Sequence, residues 1–429
     1  MRKVYLETYG CWLNKGESEI MKDLILEKGG IIVDRIEDAD VVIINTCAVR
    51  EETEYNMLKR IKKLEQLRKN LGFKLIVAGC LTNVRPYTIL EKAPSASLIE
   101  PDSIHKISDI VFGDKRELLI RKYERDTTLL PKYKGGIRYI LPIQSGCLGN
   151  CAFCIGRVSR GRDVKSYPPD LIVKHIEHAV KNGVKEIILT GQDIATYGLD
   201  KGTNLVSLLE MILDRVYGEY RIRLGMMEPW ITKKFCKKIG RLLRDERIFK
   251  YIHLPIQSGD NKILSLMRRK YTVEEYEEIV RNLRECLSRV SIVSDIIVGF
   301  PGEKEENFLN TVKMVKRIKF DKVHVARYSL RPFTYAYILP QVAEKEKKRR
   351  SKIISDICAE IAYQINKSYI GEEKLVLIEE RGKKENSYIG RTIEYKPVIF
   401  QDYDLKVGDI IKTKIIDASP IHLVGKIIG

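Results

Sequence analysis

The chain has 429 residues, 44% apolar and 31% charged, a composition that excludes disorder as the main state and leaves room for two to four domains of about 100 to 200 residues each. No run approaches the roughly 18 consecutive apolar residues needed to cross a bilayer, and the opening MRKVYLETYGC lacks the apolar centre of a signal peptide, so the sequence reads as soluble, untargeted and cytoplasmic. Seventy-six Lys and Arg against 58 Asp and Glu give a net charge of +18, which attracts polyanions such as nucleic acid or, more simply, keeps the chain soluble. The excess lies entirely in residues 116–369, with 48 basic against 30 acidic side chains, whereas residues 1–115 balance at 18 each and residues 370–429 at 10 each.

Residues 1–115 alternate short β-branched runs with amphipathic stretches: VYLET, a helix around Ser18 to Lys28, DVVIIN, a helix around Thr53 to Asn70, and KLIVAG. That order predicts a parallel β/α sheet. The polar stretch 116–136, containing RKYERDTTLLPKYKGG, reads as a linker with Pro and Gly punctuation. Residues 137–369 carry six strand patterns, RYILPIQ, EIILTG, RIRLGM, YIHLPI, IVSDIIVG and KVHVARYS, each followed by a helical pattern. They predict a partial (β/α)6 barrel whose reactive face lies at the carboxyl ends of its strands. Its last helix carries EKEKKRRSK, a solvated face or a phosphate contact. In residues 370–429 the short runs KLVLIE, SYIGRT, DIIKTKII and HLVGKII, separated by turn residues, predict a small antiparallel β-barrel. The fold class is thus α/β with a β-barrel appended.

Nine cysteines, an odd number with clustered spacing, fit metal or redox chemistry better than a disulfide framework. Cys147, Cys151 and Cys154 lie in QSGCLGNCAFCIGR, directly after the first barrel strand. Three thiolates at C-x3-C-x2-C spacing can hold three corners of an iron–sulfur cubane and leave the fourth iron open, which marks a catalytic rather than a structural centre. Zinc, or a turn with buried cysteines, is the plainer alternative. The nearest groups able to close the shell, His175 and His178, are expected to face away on the following helix. Cys11, Cys47 and Cys80 each end an apolar strand, and parallel strands emerge on one edge, so these thiols converge on a second site or remain separate core cysteines. Cys236, Cys286 and Cys358 sit in helical patterns without partners and read as packing residues. LTGQD (189–193), HLPIQSG (253–259) and DIIVGFPGE (295–303) bring Gly and polar groups to the barrel mouth, as ordinary turns or as ligand contacts. Phe153 is either a stacking surface for a base or a core aromatic.

Taken together, TYGCWLNKGESEIM, INTCAVRE and VAGCL resemble the three cluster blocks of the radical S-adenosylmethionine (SAM) methylthiotransferase family. GCLGNCAFC resembles its radical SAM loop, DIIVGFPGE its SAM-binding strand, and the tail its TRAM domain, a small β-barrel associated with RNA binding. The likeness spans essentially the whole chain. SYPPDLI, LTGQDIATYGLDKGTNL, RLGM and HLPIQSG are most similar to the archaeal and eukaryotic branch, which adds a methylthio group at carbon 2 of N6-threonylcarbamoyladenosine beside the tRNA anticodon.

The resemblance implies two 4Fe–4S clusters. One, on Cys147, Cys151 and Cys154, would chelate SAM at its open iron, and the other, on Cys11, Cys47 and Cys80, would hold the sulfur. It implies cofactor contacts at Phe153, Gly191, Gln192, Asp193, Ile297 and Gly299, with Gln192 and Asp193 toward the SAM amino group and Ile297 and Gly299 toward its adenine. It also implies tRNA as partner, an electron donor such as a flavodoxin or ferredoxin, no membrane and a monomeric enzyme, with the sulfur source left open. Because a threonylcarbamoyl group ends in a carboxylate, Arg327 or Arg331, where the sixth strand leaves the barrel, is expected to meet it. Two departures stand out: Arg331-Pro332-Phe333-Thr334-Tyr335-Ala336 replaces the family's RPGTPA, and the membrane tail of eukaryotic members is not seen. A methylthiotransferase acting on another tRNA adenosine or on a ribosomal-protein aspartate would share all six cysteines. A non-enzymatic iron–sulfur RNA-binding protein would share the charge but would have no use for an open cluster followed by GFPGE.

Overall fold

In the computed structural model, which describes residues 1–401 and 403–428, the β-branched runs at the start of the chain form six parallel strands. They are β1 (Lys3–Thr8), β2 (Ile31–Ile32), β3 (Val41–Thr46), β4 (Lys74–Gly79), β5 (Ser97–Ile99) and β6 (Leu118–Leu119), in spatial order β2-β1-β3-β4-β5-β6. Every residue of β3 is buried, so it reads VVIINT without alternation, as a strand covered on both faces must. Helix α1 (Trp12–Glu27) begins directly after Cys11, well before Ser18, with Cys11 at its N-cap. Helix α2 (Glu51–Leu71) carries Glu51, Glu52 and Glu54 in its first turn and Arg68 and Lys69 in its last, charges that complement its dipole.

Residues 116–136, expected as a linker, are strapped down. β6 pairs with β5, and buried Arg125 lies 2.8 Å from Glu17 and 3.5 Å from Asp102 while its Nε donates to the Tyr167 hydroxyl at 3.1 Å. Lys134 reaches Asp23 at 2.5 Å. Arg125 and Lys134 spend their charges on the first unit and Arg125 also reaches the barrel through Tyr167, while Arg121, Lys122 and Glu124 remain exposed.

All six expected barrel strands are present: β7 (Arg138–Pro142), then, after a two-residue ribbon of β8 (Gln144–Ser145) and β9 (Lys165–Ser166), β10 (Glu186–Thr190), β11 (Arg221–Leu224), β12 (Tyr251–His253), β13 (Ser291–Val298) and β14 (Lys322–Arg327). They form two parallel three-stranded sheets, β11-β10-β7 and β12-β13-β14, joined by single bridges from Ile222 to Ile248 and from Met226 to His253. The outer faces pack Ile187, Leu189, Ile222, Leu224, Ile252 and Ile292 against the surrounding helices, each such burial contributing roughly 1.5–3 kcal/mol. A six-stranded barrel leaves a gap between its first and last strands, and α1 fills it on the β7 side. Gly16 makes that approach possible: a Cβ there would lie 2.6 Å from Pro142 Cγ. Trp12, at the head of α1, reaches in so that the guanidinium carbons of Arg138 and Arg223 lie 5.7 and 5.9 Å from its ring centre.

The final helix of this region, Glu344–Lys367, packs across β14. Its basic run is neither a uniformly solvated face nor a free phosphate-binding strip. Lys347 is buried and donates to the Tyr328 carbonyl at 3.1 Å, buried Arg350 pairs with Glu303 at 2.8 Å, and Arg349 pairs with Glu346 at 2.9 Å.

The tail closes into a barrel of β15 (Glu373–Arg381), β16 (Ser387–Arg391), β17 (Pro397–Gln401), β18 (Ile410–Ala418) and β19 (Leu423–Ile427), in the order β15-β16-β17-β19-β18. Its pairings are antiparallel except β17 with β19, which run parallel, so the expected antiparallel barrel carries one parallel seam. This barrel sits under the amino ends of the larger barrel's strands. The Tyr395 hydroxyl donates to Glu186 at 2.7 Å, Lys396 pairs with Asp321 at 2.7 Å, and Glu379 pairs with Arg138 at 3.1 Å. No helix among the described residues is long and apolar enough to cross a membrane.

Candidate metal centres and the chamber between them

β1, β3 and β4 are neighbours in the first sheet, so Cys11, Cys47 and Cys80 leave it side by side at its carboxyl edge. Asn14, on the first turn of α1, is the hub. Its Nδ2 donates to the carbonyls of Tyr9 and Thr46, both at 2.9 Å, and its Oδ1 lies 3.7 Å from Cys11 Sγ and 3.8 Å from Cys80 Sγ. Gly79 turns the chain into Cys80 at φ +91°, where a side chain would lie 2.3 Å from Asn45 Oδ1. Cys47 and Cys80 are buried and Cys11 is exposed. Burial raises the Cys80 thiol to about 11, against the pull of Arg160, whose Nε donates to Cys80 Sγ at 3.2 Å. Arg160 also donates to Asn14 Oδ1 and to Glu17 Oε2, each at 2.7 Å, and both it and Glu17 are almost wholly excluded from solvent.

Arg160 belongs to the barrel. It ends the short helix Gly156–Arg160 that follows Cys154, and this helix packs on helix Cys80–Val84. Cys147, Cys151 and Cys154 lie on the half-buried loop just before it. The backbone N–H groups of Gly149 and Gly156 donate to Cys147 and Cys154 Sγ, both at 3.3 Å, and Arg269 Nη1 donates to Cys151 Sγ at 3.1 Å. Burial and the neighbouring Cys151 raise Cys154 to about 11, while Gly156 N–H and Arg269 favour its thiolate. Arg269 in turn pairs with buried Glu228 at 2.8 Å. His175 meets the Tyr139 hydroxyl at 3.1 Å from helix Pro169–Lys181, and His178 on the same helix is exposed.

The spacing of the thiols tests zinc. Sulfurs on one tetrahedral zinc sit about 3.8 Å apart, given Zn–S of about 2.3 Å. Among the described residues the only His, Cys, Asp or Glu trio with ligand atoms all within 4.8 Å of one another is His253, Asp295 and His324, so both cysteine trios are too wide for a single ion. Wider spacing, N–H donors to sulfur and one guanidinium per trio fit the corners of an iron–sulfur cluster.

The other expected contacts surround the loop. Asp193 is buried; its Oδ1 accepts from Ala195 N–H at 3.1 Å and Glu228 N–H at 2.9 Å, while Oδ2 has no hydrogen-bond partner and its charge acts on Cys147. An orphaned carboxylate oxygen beside the loop fits the ammonium of an amino acid. Gln192 Oε1 accepts from Gly146 N–H at 2.8 Å, and Gly191 packs on Gln144, where a Cβ would come within 2.4 Å of Oε1. Phe153 and Ile297 share an apolar patch with Phe300, with Phe153 edge-on to Phe300 at 6.5 Å between ring centres. Gly299 lies under the stem of Lys347 and donates its N–H to Glu303 Oε1 at 2.8 Å.

The two arginines expected at a substrate carboxylate are engaged elsewhere. Arg327 pairs with Glu344 on the outer helix. Arg331 is buried, donates to the Ala48 carbonyl at 2.9 Å and pairs with Glu54, so it staples the loop after β14 to the segment that follows Cys47. Asn14, Arg160, Glu228 and Arg269 escaped the sequence reading because each acts through a partner far along the chain. Cys236, Cys286 and Cys358 lie in packed helices away from both trios.

Comparison with known proteins bears on the whole chain. Residues 141–315 match the radical SAM superfamily, residues 3–100 an uncharacterized protein family, UPF0004, and residues 367–428 the TRAM domain. The chain is 40% identical over 435 residues, covering 100% of both proteins, to a probable threonylcarbamoyladenosine tRNA methylthiotransferase of Pyrococcus horikoshii. It is 35% identical over 437 residues, 100% of this chain and 99% of the relative, to a tRNA-2-methylthio-N(6)-dimethylallyladenosine synthase of Thermodesulfovibrio yellowstonii. In fold it is similar to the radical S-adenosylmethionine methyltransferase TsrM of Kitasatospora setae, with a TM-score of 0.60 at 14% identity over 79% of this chain and 77% of that one. Two thiol trios, each with its own guanidinium, on domains matched in this order and by relatives of full length, leave one assignment: the chain belongs to the radical SAM methylthiotransferase family.

Proposed function

We propose that the protein, like its archaeal relatives named probable threonylcarbamoyladenosine tRNA methylthiotransferases, is a tRNA methylthiotransferase, and that it places the methylthio group on carbon 2 of N6-threonylcarbamoyladenosine beside the anticodon. The observation that carries this reading is that the helix directly after Cys154 packs on the helix that begins at Cys80, so that Arg160, at the end of the former, donates to a thiol of the other trio. When bound, 4Fe–4S clusters and SAM supply the radical chemistry that removes hydrogen from an unactivated ring carbon, which no side-chain base could deprotonate. Cys147, Cys151 and Cys154 hold the cluster that binds SAM, and Asp193 Oδ2 takes the SAM ammonium. Arg269 and Arg160 offset the negative charge of the thiolates that each deprotonated trio contributes. Cys11, Cys47 and Cys80 would hold the second cluster and the sulfur, and the ring centre of Trp12, next in the chain after Cys11, lies 5.9 Å from the guanidinium carbon of Arg223 of the barrel.

The target base leaves the anticodon-loop stack to reach this point, a small cost in a single-stranded loop. The TRAM barrel, with balanced charge, grips by shape and hydrogen bonding, and the basic central segment meets phosphates. The enzyme works in the cytoplasm as a monomer and draws electrons from a flavodoxin or ferredoxin.

The test is nucleoside mass spectrometry of three tRNAs, carrying N6-threonylcarbamoyladenosine, dimethylallyladenosine or plain adenosine, after incubation with cluster-loaded protein, reductant, a sulfide source and SAM. The 2-methylthio product is expected on the first alone. Product on the dimethylallyl tRNA alone would move the chain to the chemistry named for the Thermodesulfovibrio relative.

A further inference from the structure

With Arg327 and Arg331 committed to Glu344 and Glu54, a substrate carboxylate needs another cation, and the barrel lumen holds two that form no ion pair among the described residues. Strand alternation puts Arg223 there, since its neighbours Ile222 and Leu224 are fully buried on the outer face. Its guanidinium carbon lies 4.9 Å from the ring centre of Tyr251 and 5.1 Å from that of Tyr395. The only hydrogen bond its side chain makes among the described residues runs from Nη2 to the Tyr251 hydroxyl at 3.1 Å, and its buried Nε has no partner. Across the lumen Lys322 likewise forms no ion pair among the described residues, and its ammonium is destabilised by partial burial and by Arg391 and Arg223. Glu186 supports the Arg223 charge without pairing with it, whereas Arg223 disfavours the Lys322 ammonium, and an entering anion relieves that repulsion.

One layer up, Asp295 accepts from His253 Nε2 at 3.0 Å and stands directly opposite His324 on the neighbouring strand. These three could coordinate a metal ion, but Arg50 acts on both Asp295 and His324, and Lys322 acts on His324, a setting that repels a divalent cation. Such a layer of hydrogen-bonding groups above a cationic floor suits an amino-acid side group that carries a hydroxyl and ends in a carboxylate.

We infer that this lumen is the specificity pocket for the group on N6 of the target adenosine: Arg223 and Lys322 take its carboxylate, and Asp295, held by His253, takes its hydroxyl. The inference rests on the proposed function and names the residues that choose its substrate. Entry beside Trp12, which follows Cys11, keeps the adenine at the thiol trios while its N6 group points down the barrel.

The experiment compares kcat/KM of cluster-loaded protein on tRNA carrying N6-threonylcarbamoyladenosine and on the same tRNA with the threonyl carboxylate converted to a primary amide. Wild type should prefer the carboxylate by at least about tenfold, the worth of one charged hydrogen bond in a buried site. Arg223→Met should erase most of that ratio, Arg223→Lys should keep part of it, and Lys322→Met should lower it less. The ratio distinguishes recognition from folding, because a merely destabilised variant loses both substrates alike. An undiminished ratio in Arg223→Met and in the Arg223→Met/Lys322→Met double variant overturns the inference while the tRNA reading stands. Failure of wild type on both tRNAs overturns the proposed function instead. Stoichiometric uptake of added Zn²⁺ that is lost in His324→Ala would reassign the upper layer to a metal and also overturn the pocket.

Discussion

The two thiol trios reach similar chemistry by opposite routes. Cys147, Cys151 and Cys154 lie within eight consecutive residues, and the loop that carries them needs only a ribbon, two N–H donors and Arg269 to hold its shape. Cys11, Cys47 and Cys80 are brought together by the sheet alone, through three adjacent parallel strands, and the guanidinium beside them comes from the other domain. A local site survives damage elsewhere, whereas a site made by topology is only as stable as the sheet and the interface that make it.

The largest expected effect separates the two by chemistry. Cys147→Ala should abolish formation of 5′-deoxyadenosine, read by chromatography, whereas the Cys11/Cys47/Cys80 triple Ala variant should still form it and yield no methylthio product. Each should lose about one cubane of iron. Normal product from the triple variant would dissolve the comparison by removing any need for the second trio.

A smaller effect sharpens the claim that one site depends on the interface. Arg160 and Glu17 are a nearly solvent-free pair, but Arg125 also faces Glu17 at 2.8 Å, so Arg160→Met should lower unfolding free energy by about 1.5–3 kcal/mol, the worth of a lost charged hydrogen bond rather than of a stranded carboxylate. Its iron loss should fall on the first trio, leaving SAM cleavage in the fraction that remains folded. Equal iron loss from both trios would show that the loop is as dependent on the interface as the sheet.

The smallest effect lies at the far end of the barrel and asks whether either trio is coupled to the TRAM dock. Burial, with the Glu186 carboxylate beside it, pushes Glu379 up to about 7 against the opposing pull of Arg391 and Arg138. A carboxyl raised on folding stabilises the native state fully below its unfolded value near 4.5, and that contribution is lost as pH rises through about 7. The melting temperature should therefore fall between pH 5 and pH 7.5 more steeply in wild type than in Glu379→Gln. Iron content of both trios should not follow it.

What could be read from the residues divides along the same line as the trios. Cysteine spacing revealed the loop, and strand-end cysteines revealed the edge, because both are local patterns on predictable elements. Arg160 could not be found that way, since its role exists only where helix Gly156–Arg160 meets helix Cys80–Val84. Lys347 and Arg350 were hidden inside a basic run, although their spacing with Ile354 is that of a buried helix stripe. Arg331 looked free at a strand end, yet the loop folds back onto Ala48, while Arg223 sat unremarked in RIRL, whose alternation already placed it inside the barrel. The Phe333 departure leaves that aromatic 72% exposed at φ +61°, lining a surface cavity with Val84, Pro86 and Tyr87.

The reach of Arg160 also bears on how the protein is made. A ribosome delivers Arg160 80 residues after Cys80. At about 5–20 residues per second, roughly 4 to 16 seconds pass in which the three cysteine-bearing strands have been synthesised while the guanidinium that caps Cys80 has not. During that interval the nascent chain offers unshielded thiols to oxidants and to stray metals, so iron–sulfur loading of the first trio belongs after the barrel has docked, in an order set by the position of one arginine.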